Sequence, residues 1–185
     1  SAVCEYCAVK KSDLGVFIPE VYYPFFEACK QKNDVVDYKV YWKKNKLDSS
    51  LVKKIAAIHM ADIRHRKSDP MDWKKQTLLD KQNQQSVDSL FSIHKAYIGS
   101  MLVGDKLNFV MWAVIQHSSL EMMNRYLPVL EKAVKENQLP VIPFKMLLDR
   151  MYSIQFSYQI FGSQANVPLA AEEIRTQVKK KYQIE

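Results

Sequence analysis

A chain of 185 residues has the length of one domain, with 48% hydrophobic and 25% charged residues, so general disorder, a collagen repeat and a disulfide-dense miniprotein are excluded. Four Gly and seven Pro are too few for the frequent tight turns of a sandwich or barrel, which favours helices. The +7 net charge raises an anionic partner, but lysines fall in scattered pairs (Lys10–Lys11, Lys43–Lys44, Lys53–Lys54, Lys74–Lys75) and at 179–181. Aromatic residues interleave with them only at 38–44, so a solvated surface is expected and nucleic acid is an unlikely partner.

Cys4, Cys7 and Cys29 all lie in the first thirty residues. Cys4-Glu5-Tyr6-Cys7 has the spacing of half a zinc site, but no second pair completes four ligands, and no strand precedes it as a redox motif requires. One disulfide among the three would leave an odd thiol. The start at Ser1 is compatible with a removed export signal, so a periplasmic or envelope location is slightly favoured over a cytoplasmic one. No uncharged apolar run reaches the roughly 18 residues of a membrane span, because Asp105 and Lys106 interrupt 98–115.

In chain order, 1–20 reads as an irregular lead-in punctuated by Gly15 and Pro19, and 20–32 as a helix through Val21, Phe25, Ala28 and Cys29. Alternation at Tyr38, Val40 and Trp42 suits a short strand or an amphipathic edge. Leu51, Ile55 and Ile58 mark a helix over 49–66 capped by Asp48 or Ser49. Asp69-Pro70 has the form of an N-cap and first helical residue for a helix through Tyr97 that stops near Gly99. A strongly apolar helix follows from Gly104 or Asp105 through His117. Ser118 or Ser119 caps the next, in which Pro128 should kink or split the helix. Helices over 144–158 and 169–181, with a loop at Gly162 between them, complete an all-α, single-domain bundle of about six or seven helices. Residues 1–48 form an extension with one helix, and 49–185 the core domain.

Polar residues that share the apolar faces single themselves out. Asp62 stands seven after Ile55 and four after Ile58. Asp80 and Asn83 stand seven and four before Val87. His117 is seven after Val110, with Gln116 beside it, and Arg150 lies between Leu147 and Ile154, next to Asp149. Groups of this kind cost several kcal/mol when buried alone, so they must pair, bind a ligand or line a wet pocket.

Asp80-x-x-Asn83, Val103-Gly104, Gln116-His117, Asp149-Arg150 and Gln159-x-Phe161-Gly162-Ser163-Gln164 occur in this order. The series resembles an uncharacterised bacterial family, a domain of unknown function, marked by D-x-x-N, Q-H, D-R and Q-x-[YF]-G-[ST]-Q over about 50–166. Members often carry a D-Q pair with a basic residue three after the Gln. Here Asp62-Ile63-x-x-Arg66 keeps the Asp and the Arg. Many members have Gly-Trp-Pro before the Val-Gly, where this chain has Tyr97-Ile98-Gly99-Ser100. The resemblance implies a helical fold and a shared site, and some members look exported.

Two functions fit these residues. In the first, the chain is a hydrolase or transferase acting on a small polar or anionic substrate. His117 is then the general acid or base, its tautomer fixed by Asp62 or Asp80. Arg150 holds the anion, and Asn83, Gln116, Asp149, Gln159 and Gln164 orient the substrate. Neither a metal-ligand spacing nor a nucleophile elbow is present, so no metal or cofactor is expected. In the second, the chain is a non-enzymatic binding or protein-interaction module, and the same residues form a buried network that specifies helix packing.

Overall fold

The computed structural model describes residues 38–66 and 70–184, which build one all-α bundle. The helices are α1 (Tyr38–Lys44), α2 (Ser49–Ile63), α3 (Trp73–His94), α4 (Ser100–Val103), α5 (Val110–Gln116), α6 (Leu120–Lys135), α7 (Val141–Phe156) and α8 (Glu172–Tyr182). The three cysteines, the lead-in, the helix expected over 20–32 and the Asp69 cap lie outside the described residues. None of the described helices is long and apolar enough to cross a membrane.

Helix α5 organises the rest. All seven of its residues are buried, as expected of a helix that is apolar all round, and it packs against α2, α3, α6 and α7. Helices α2 and α3 pack on each other, as do α6 and α7. The core runs through Ile55, Val87, Leu90, Met111, Ile115, Met123, Leu130, Leu147 and Leu148.

Local chemistry sets the helix limits. The Asp48 carboxylate accepts from Ser50 N and Leu51 N at the start of α2, and Ser119 Oγ accepts from Met122 N at the start of α6. Caps of this type are worth about 1 kcal/mol each. Helix α3 begins later than the Asp69-Pro70 signal predicts, because Asp72 is the cap and accepts from Lys75 N at 3.0 Å. It also stops before Tyr97, where Lys95 turns left-handed and returns its N–H to Phe91 O. The helix expected from Gly104 or Asp105 begins only at Val110: 105–109 is a stretch of turns, and the short α4 precedes Gly104. There Gly104 adopts φ +73°, and a side chain on it would collide with the Tyr41 hydroxyl.

The alternation at 38–42 belongs to a helix. Tyr38, Tyr41 and Trp42, at positions i, i+3 and i+4, are partly buried, whereas Val40 is 60% exposed, so only the helical period places the aromatic residues inward. The Tyr41 hydroxyl donates to Val103 O and accepts from Lys106 N. Helix α6 passes through Pro128 unsplit. In α7 the apolar face ends at Met151, and Ile154 is exposed.

Candidate functional site

The site begins at the C-terminal end of α2. The period that buries Ile55 and Ile58 also carries Asp62 into the interior, where its side chain is 4% exposed. Facing it is His117, the C-cap of α5, whose Nδ1 lies 2.9 Å from Asp62 Oδ1. Because α5 ends at Gln116, His117 sits at the rim of the core and its side chain keeps 29% exposure.

Burial pushes the Asp62 carboxyl up, but the His117 hydrogen bond and the neighbouring His117 and Arg66 charges outweigh it and hold it below its ordinary range. Asp62 is therefore an ionised acceptor near neutral pH, which puts the shared proton on His117 Nδ1. Nε2 makes no hydrogen bond among the described residues and is the nitrogen left for chemistry.

One turn beyond Asp62, Arg66 places Nη2 3.9 Å from Asp62 Oδ1 and 2.8 Å from Asp80 Oδ2. Asp80 thus anchors Arg66, and the histidine is oriented by Asp62 alone. The Gln76 carboxamide locks this arrangement. Its nitrogen donates to Asp80 Oδ1 at 2.8 Å and to Ala61 O, and its oxygen accepts from His65 N. The frayed end of α2 is thereby fastened to the first turns of α3, with one of the terminal carbonyls satisfied.

Arg150, on α7, has no carboxylate partner among the described residues, and its Nε is buried without a hydrogen bond. Burial first, then the positive charge of Arg66, lowers its pKa from the ordinary guanidinium range. Gln116 connects α5 to this helix by donating Nε2 to Met146 O at 3.5 Å. Met146 and Arg150 are one turn apart and so share a face. Gln116 is 6% exposed and its Oε1 has no partner; Arg66 Nη1 is likewise buried and unpaired.

The other expected site residues serve the backbone. Asn83 donates to Ile58 O and ties α3 to α2. Asp149, adjacent in sequence to Arg150, turns away from it, and its fully buried carboxylate accepts from Ile160 N, Phe161 N and Ser163 N at 2.7–2.8 Å. Gln159 Nε2 donates to Gln164 O and Val167 O, while its Oε1 accepts from Gln164 N. Among the described residues the Gln164 side chain reaches only Ser163 Oγ, and Gly162 supplies φ +94°. Together they hold the loop between α7 and α8, where Gln159 also pairs with Leu169 in an isolated bridge.

The structure therefore joins Asp62, Asp80 and His117 through direct contacts and adds Arg66 and Gln76 to them, whereas among the described residues Gln116 and Arg150 make no hydrogen bond or ion pair with any of these side chains. Gln76 carries the same spacing signal as its neighbours, four before Asp80 and seven before Asn83, and was legible on that ground. Among the described residues no three His, Cys, Asp or Glu side chains group as metal ligands. No family model, curated protein or solved structure matches the chain.

Proposed function

We propose that the chain is a hydrolase or transferase for a small anionic substrate, with His117 as general acid or base. The observation that carries this reading is the Asp62–His117 pair at 2.9 Å. A buried carboxylate orients a ring whose second nitrogen makes no hydrogen bond among the described residues, with the Arg66 guanidinium 3.9 Å from the same carboxylate. Such a carboxylate fixes the tautomer and stabilises the imidazolium formed when Nε2 takes a proton. Arg150 and Arg66 supply positive charge for binding an anion, and Asp80 and Gln76 act as positioning residues by holding Arg66. An arrangement of this kind contributes about 10²–10⁴-fold through proton transfer.

Turnover of a set of small chromogenic anionic esters by the wild type, His117→Ala and Arg150→Met tests the reading. Wild-type turnover, lost in a folded His117→Ala protein, is expected. Undiminished turnover in that variant overturns the catalytic role. The second reading, a binding or interaction module with a structural polar network, draws support from Asn83, Asp149, Gln159 and Gln164, all of which serve backbone groups. It predicts no turnover and a large loss of melting temperature in both variants.

A further inference from the structure

Three aromatic rings meet at the C-terminal end of α7. Tyr152 and Phe156, at i and i+4, share a face of the helix, with ring centroids 5.5 Å apart. Ser157 then turns left-handed at φ 62° and ends the helix. Tyr158 returns to lie 5.5 Å from Phe156, its ring 14° from parallel, and 6.0 Å from Tyr152. Tyr152 and Tyr158 lean on the core, but Phe156 is 52% exposed. Core packing alone does not account for an aromatic cluster that reaches the surface.

Helix α8 brings positive charge to the same face. Phe144 stands eight residues before Tyr152 on that side of α7, and its ring centroid lies 5.5 Å from that of Tyr182 at the end of α8. Lys181 Nζ is 5.0 Å from the centroid of the Tyr182 ring, and Lys179 and Lys180 share the last turn of α8. Burial and then Tyr182 raise the Tyr152 pKa while the Lys181 charge lowers it, in keeping with this packing. Lys145, seven before Tyr152, extends the strip and lies over the Phe161 ring. The carboxylates of these two helices do not neutralise it. Asp149 is buried and taken by three backbone N–H groups, and Glu172 and Glu173 occupy the first turn of α8. A helix C-terminus favours cations on its own account, but it does not call for rings beside them.

Ammonium groups without carboxylates suit a polyanion, and exposed rings suit planar partners that stack on them. Single-stranded nucleic acid supplies both, alternating phosphates with unpaired bases. A membrane surface fits less well. The exposed Ile154 lies about 160° round α7 from Tyr152 at 3.6 residues per turn, so the apolar side chains do not form the continuous face that insertion needs. The rings of 152–158 and the lysines of 179–181 do not interleave in the sequence, and only the fold sets them together.

We propose that Tyr152, Phe156 and Tyr158, with Lys179, Lys180 and Lys181, form a surface for single-stranded nucleic acid, in which bases stack on the rings and the lysines meet phosphates. The surface is independent of the Asp62–His117 pair and of any turnover there.

Fluorescence anisotropy of a labelled oligothymidylate of about 12 nucleotides, titrated with the full chain, tests this. Binding is expected, with log affinity falling against log salt at a slope of about −2 for three phosphate contacts. An abasic strand of the same length keeps the phosphates without the bases and should bind about tenfold more weakly. Phe156→Leu, which stays apolar but cannot stack, should weaken binding about tenfold with the salt slope unchanged. Lys180→Gln with Lys181→Gln should instead reduce the slope by about 1.4. No binding of oligothymidylate, equal binding of the abasic strand, or wild-type affinity in Phe156→Leu overturns the proposal. Sedimentation with vesicles of phosphatidylcholine and phosphatidylglycerol, without oligonucleotide binding, also overturns it and makes the surface a membrane contact. The wild-type preference for a strand with bases decides the matter even where a variant fails to fold.

Discussion

Arg66, just beyond the end of α2, is paired with Asp80 at 2.8 Å, whereas Arg150 of α7, whose pKa is lowered by burial and then by the positive charge of Arg66, has no carboxylate partner among the described residues. Close cations raise the free energy of the fold unless something is gained by holding them together. On the proposed function the gain is an anion site. Arg150→Met should therefore leave stability unchanged or raise it by up to about 1 kcal/mol while abolishing anion-dependent stabilisation. Chemical denaturation with and without added acetate or dimethyl phosphate measures both effects.

Asp149 predicts the opposite behaviour. Three backbone N–H groups converge on its carboxylate, so Asp149→Ala should cost about 2–4 kcal/mol. Hydrogen exchange should accelerate at Ile160, Phe161 and Ser163, and any fall in activity should follow the fraction unfolded. Neighbours in sequence, Asp149 and Arg150 thus separate a structural role from the one proposed for substrate binding.

Asp62→Asn keeps the shape of the side chain but removes the charge that sets the His117 tautomer. Turnover that depends on His117 should fall at least about a hundredfold, with a stability loss of about 1–3 kcal/mol. Steady-state rates compared at equal folded fraction check this.

The pH dependence of folding follows from the same carboxylate. The Asp62 pKa is lowered in the folded chain from its ordinary value of 3.8, so the folded state binds its proton less readily than the unfolded state. Its contribution is complete above the ordinary value and is lost as the pH falls through the lower folded value. Denaturation midpoints followed into acid should show a drop in this window that is smaller in Asp62→Asn.

Periodicity made much of this legible. The seven- and four-residue spacings that place Asp62 on the inner face of α2 and Asn83 on that of α3 are the ones the helices display, with Asp80 half-buried at the edge of the latter face. The direction of each side chain was not legible. Asp80 and Asn83 share a face, yet one meets Arg66 and the other a carbonyl of α2, because their partners come from another helix. Asp149 and Arg150 diverge for the same reason: the loop that claims Asp149 lies 11 to 14 residues downstream. At Tyr38–Trp42, three alternating residues fit both a strand and a helix, and contacts with Val103 and Lys106 decide between them.

The most direct test is the long-range nitrogen–proton NMR spectrum of the His117 ring, assigned by comparison with His117→Gln. The Asp62 contact predicts a proton on Nδ1 in the neutral ring and an Nε2 resonance that moves when acetate or dimethyl phosphate is added. A proton on Nε2 instead, or a ring unaffected by either anion, would contradict an active centre built on Asp62 and His117.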